Sequence, residues 1–167
     1  YIKALTEDVA RTNGGFALST GLVDLVPGFS LPLTAADVVV LTKNQIVMAY
    51  RIALAAGKPG DARTLVPEIL GVIGAGVMFR QVARELVGLL PVIGLVPKIA
   101  VAYAGTHIVA LAVRTWALEG RKMKVNELRE MYDASLKGGR AVAEELVARA
   151  KAARECPTDA ADDRREG

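Results

Sequence analysis

Between Leu65 and Val113 the chain carries only five charged side chains, Glu68, Arg80, Arg84, Glu85 and Lys98. The rest of that stretch is aliphatic or small, interrupted by Pro67, Pro91 and Pro97. A run this apolar has three ways to leave water: a helical core, a partner's surface or a lipid bilayer. No period-two alternation marks a strand anywhere in the chain, and apolar residues recur at helical spacing. The pattern therefore predicts an all-α fold. A helical bundle forms around a central hydrophobic helical hairpin, followed by a long amphipathic C-terminal helix.

The punctuation divides the chain further. A short helix over 2–11 ends near Gly14 and Gly15, and a second covers 16–25 before Pro27 and Gly28. Thr34 is a suitable N-cap for a helix over 35–56 that stops at Gly57. In that helix Asp37, Asn44, Arg51 and Lys58 recur every seven residues, a narrow polar seam. Aliphatic residues on the other sides predict a central core helix covered almost all round. Asp61 caps a helix running to about residue 90, with a break near Pro67. An apolar hairpin tip over 86–96 leads to a helix over 98–118 that ends at Gly120. Asn126 then caps a last helix reaching about residue 155, bent where Gly138 and Gly139 weaken it. Residues 1–155 read as a single helical domain, and 156–167 as a disordered charged tail.

Composition narrows the function. Hydrophobic residues make up 52% of the chain, aromatics 5%, and the formal net charge is +3. Nucleic-acid binders pair a strong basic face with stacking aromatics, so no nucleic-acid partner is expected. Cys156 is the only cysteine and His107 the only histidine. An internal disulfide is impossible, and zinc sites of the usual types lack ligands. Any Ser-His-Asp or Cys-His device would need His107, which no nucleophile motif flanks. Gly71, Gly74 and Gly76 reverse the dinucleotide fingerprint and follow no strand, so they read as close helix packing. The expectation is a protein that is not an enzyme, with no cofactor and no catalytic residues.

Arg80 and Arg84 lie one turn apart beside Glu85, with Glu68 and Asp37 as further acidic partners. Buried guanidinium groups need such partners, so a structural ion-pair network is expected there. From Ile99 to Val113 the chain has no formal charge, flanked by Lys98 and by the basic group Arg121, Lys122 and Lys124. Extended back to Leu86, the run has the roughly 20 residues of a membrane span, although Lys98, His107 and Arg114 interrupt it.

Three stretches resemble a known family. They are Leu41–Gly57 (LTKNQIVMAYRIALAAG), Phe79–Pro91 (FRQVARELVGLLP) and Ala102–Thr106 (AYAGT). Together they are similar to the GTPase-associated, YcjF-type bacterial family of unknown function, over roughly residues 20–120. The resemblance implies a helical protein, often fused to or encoded near Era-like GTPases, in some cases with membrane spans. Gln45, Tyr50, Arg51, Arg80, Gln81, Arg84, Tyr103 and Thr106 match its recurrent polar positions. They are the candidate polar network or contact surface. The segment lacks GTPase motifs of its own, so a GTPase domain would act in cis or in trans.

The functional expectation is a membrane-associated helical module coupled to a partner such as an Era-like small GTPase. It would sit in the bacterial cytoplasm or at the cytoplasmic face of the inner membrane. The alternative is a soluble helical domain that forms a homo-oligomer or holds a lipid-like ligand between its helices.

Overall fold

The computed structural model describes residues 1–23, 35–73 and 95–155. Within them the chain is helical and contains no strand. The elements are α1 (Ile2–Val23), α2 (Ala35–Ala55), α3 (Ala62–Ile73), α4 (Leu95–Glu119) and α5 (Val125–Glu155). The expected hairpin tip, the helix beyond residue 73 and the charged tail lie outside the described residues.

The most apolar helix is also the axle of the bundle. α4 packs against all four other helices, most extensively against α5 and α1. Most of its side chains from Ile99 to Thr115 are buried. On one side Met48, Ile52, Leu65, Ile69 and Val113 join α2, α3 and α4 into a core that also takes Leu5 of α1. On the other, Ala17, Ile99, Ala100 and Ala143 bring α1, α4 and α5 together. Small residues set this second spacing. A Cβ on Gly139 would lie 2.8 Å from the Ala100 carbonyl oxygen and 3.2 Å from its Cα. Only a glycine lets α5 approach α4 so closely.

The boundaries follow from local chemistry. Asp61 caps α3, accepting at Oδ1 from the Thr64 backbone N–H at 3.1 Å. Beyond α2, the Lys58 N–H reaches the Ala53 carbonyl and the Gly57 N–H reaches that of Leu54, at 3.0 and 2.9 Å. This doubly bonded termination needs a left-handed residue, and Gly57 has φ +82°. Gly120, at φ +67°, closes α4 with a single bond to the Trp116 carbonyl. α5 starts differently from expectation. Asn126 is not its cap; Glu127 reaches back to accept the Lys124 N–H at 2.7 Å, half of a capping box.

Three further expectations are corrected. α1 is one helix that runs straight through Gly14 and Gly15. Gly14 serves packing there, since a Cβ would stand 3.3 Å from Ile99 Cγ2. α3 continues past Pro67. The central helix is α4 rather than α2. Val39, Val40, Val47 and Leu54 of α2 are 65%, 38%, 48% and 44% exposed. α2 buries Met48, Ala49, Ile52 and Ala53 and leaves the opposite aliphatic residues uncovered. Aliphatic abundance alone could not distinguish a helix wrapped on all sides from one packed on a single side.

Candidate functional site

Polar side chains converge where α1, α2 and α5 meet one flank of α4. Tyr103, Thr106 and His107 of α4 lie three and four residues apart and share that flank. Two groups of contacts form around them.

The first group is buried and uncharged. Thr106 and Asn13 are both fully shielded from solvent. The Thr106 hydroxyl donates to the Ala102 carbonyl at 2.8 Å. It accepts from Asn13 Nδ2 at 2.9 Å and from Gln45 Nε2 at 3.4 Å. Asn44 Nδ2 donates in turn to Asn13 Oδ1 at 2.9 Å. Three helices are thus pinned through one hydroxyl and one amide. None of these four groups titrates, so the arrangement fixes register and cannot move a proton.

The second group is charged and nearer the surface. The Tyr103 hydroxyl donates to Glu7 Oε2 at 2.8 Å, and Arg11 Nε donates to Glu7 Oε1 at 2.8 Å. Arg11 Nη1 reaches Glu145 Oε2 of α5 at 3.4 Å, and Arg149 holds the other oxygen of Glu145 at 2.7 Å. Burial acts to raise the Glu7 pKa. The hydrogen bonds from Tyr103 and Arg11, with the charges of His107 and Arg11, outweigh it and leave the carboxyl below its ordinary value. Burial and the bond to Glu7 push the Tyr103 phenol up to about 12. His107 stacks obliquely on Tyr103, with ring centroids 4.6 Å apart. Its Nε2 is buried 3.3 Å from Glu7 Oε2 and makes no hydrogen bond.

His107 also lines an open cleft of about 860 Å³ between the start of α1, the outer stripe of α4 and the middle of α5. Lys3 and Arg114 stand on its walls, which otherwise are mostly apolar and include no carboxylate.

The sequence-derived candidates divide accordingly. Gln45 and Thr106 meet in the first group, and Tyr103 belongs to the second. Tyr50 is instead half-buried against the core shared by α2, α3 and α4. Arg51 is exposed and joins neither group. Arg80, Gln81 and Arg84 lie outside the described residues. Asn13, Glu7 and Arg11 were not singled out by sequence. The available signal was a polar Asn13 placed among Val9, Ala10 and Ala17 at helical spacing, obscured by the glycine pair that follows it. Among the described residues no cluster of three or more His, Cys, Asp or Glu side chains is arranged to hold a metal ion.

The chain matches no family model, no curated protein and no solved structure.

Proposed function

We propose that the chain is a non-enzymatic helical module that rests on an anionic membrane surface through the uncovered face of α2. The observation that carries this reading is the composition of that face. Val40, Lys43, Val47, Arg51 and Leu54 follow one another at three- and four-residue steps, and all are exposed. Aliphatic side chains flanked by cations are what an interfacial helix offers to acyl chains and anionic head groups.

The reading also assigns a place to α4. By length and composition it is apolar enough to cross a membrane, with mean hydropathy 1.5. Yet 67% of its most apolar 18-residue stretch is buried inside the bundle. A helix already covered by four neighbours gains little from lipid, so α4 serves as the core and contact with the bilayer falls to α2. In this reading the module sits at the cytoplasmic face of a bacterial inner membrane. An Era-like small GTPase is the partner that its three family-like stretches imply.

Co-sedimentation with vesicles tests the proposal. The chain should pellet with phosphatidylglycerol vesicles and stay in solution with purely phosphatidylcholine ones. Val40→Asp combined with Val47→Asp should abolish pelleting without lowering thermal stability, because both positions are exposed. Failure of the unaltered chain to bind anionic vesicles at low ionic strength would refute the reading.

A further inference from the structure

We infer that the cleft between α1, α4 and α5 is a binding site for a single-chain aliphatic anion, of the fatty-acid class. The inference is independent of the α2 surface, since α2 contributes only the uncharged Ala55 to the lining.

Shape comes first. On α4, His107, Ala110, Leu111, Arg114 and Leu118 fall at positions i, i+3, i+4, i+7 and i+11, so one continuous stripe of that helix lines the cleft. α5 supplies Met131, Ala134 and Ser135 at similar spacing, and the start of α1 closes the third side. α4 is otherwise enclosed by its neighbours, and this stripe is where they part. A volume of about 860 Å³ falls within the range of about 300–1,000 Å³ typical of small-molecule sites.

Chemistry then selects the occupant. The apolar lining is aliphatic apart from Tyr1, which favours a flexible hydrocarbon chain over a flat ring system. Two large apolar side chains at the cleft, Leu118 and Met131, are 55% and 40% exposed. Covering them would release ordered water and favour binding. Lys3 and Arg114 bring two formal positive charges to the walls. Among the described residues neither makes a salt bridge, in contrast to Arg11, Arg121 and Arg149. The lining holds no Asp or Glu to neutralise them. Two unpaired cations on the walls of an aliphatic cleft complement one anionic head group on an apolar tail. Ser135 adds a neutral hydroxyl that can donate to the same head group.

Isothermal titration of the purified chain with palmitate, held below its micelle concentration, tests the inference. Saturable binding of one molecule per chain is expected, with hexadecanol, which has the same tail and no charge, weaker by about tenfold or more. Lys3→Gln combined with Arg114→Gln should weaken palmitate binding by about tenfold while leaving hexadecanol binding and the melting temperature unchanged. Ala134→Trp, which fills the cleft from a partly exposed helix position, should remove binding of both. Absence of saturable palmitate binding would overturn the inference. So would equal affinity for the acid and the alcohol, or palmitate affinity unaltered in the double variant. The Val40→Asp, Val47→Asp variant keeps palmitate binding if only the membrane reading fails. An unaltered chain that binds vesicles but not palmitate removes this site alone.

Discussion

Thr106 carries more connections than any other buried side chain described. Its hydroxyl donates once and accepts twice, from Asn13 and from Gln45. Deleting that hydroxyl leaves the fully buried Asn13 amide and the partly buried Gln45 amide without their acceptor. Each stranded group costs about 1–3 kcal/mol. Thr106→Val, which keeps the shape, should therefore destabilise the chain by about 2 kcal/mol, read from the urea midpoint. Thr106→Ser should retain most of the stability. Thr106, Tyr103 and Gln45 stood out in the sequence only through a resemblance, which gave no physical reason why they matter. Asn13 is the missing piece. Gly14 and Gly15 read as a stop when the chain is viewed one residue at a time, whereas tertiary contact with Ile99 makes Gly14 a site of close approach.

At the level of elements, α4 and α5 meet through an asymmetry between two adjacent glycines. Gly139 lies against the Ala100 backbone, whereas a Cβ on Gly138 would meet nothing within 4 Å. Gly139→Ala should force the helices apart and cost about 1–3 kcal/mol through overpacking. Gly138→Ala should instead stabilise the chain by about 0.5–1 kcal/mol, because alanine suits a helix interior better. Thermal melts of the two variants should move in opposite directions. Sequence propensity treats the pair alike and predicts a bend. Only the packing partner, which no local pattern reveals, separates them. Helix starts and stops with strong turn chemistry were readable, as at Asp61, Gly57 and Gly120. The relative burial of α2 and α4 was not, since both are rich in aliphatic residues and burial depends on how many neighbours surround each.

The molecule as a whole is tied together by Glu7, which links α1 to α4 directly and to α5 through Arg11. Its folded-state pKa lies below the ordinary 4.5, so its contribution is present above that value and is lost as pH falls through the lowered pKa. The Tyr103 phenol, raised from 10.0 to about 12, contributes below its ordinary value and loses that contribution as pH climbs toward 12. Stability should therefore fall at both acid and alkaline extremes. Glu7→Gln should lower the melting temperature at neutral pH and flatten both limbs of the pH profile, as measured by circular dichroism. The position of α4 carries a consequence for biosynthesis. Glu7 and Tyr103 are 96 residues apart in sequence, and Asn13 and Thr106 are 93 apart. A ribosome releases α1, α2 and α3 before the segment that unites them has been made. Until then their greasy sides stand open, and closing so long a loop is slow. Newly made chains should accordingly engage holding chaperones until the codons for α4 have been translated, and truncation just before Leu95 should yield an aggregating product rather than a smaller folded one.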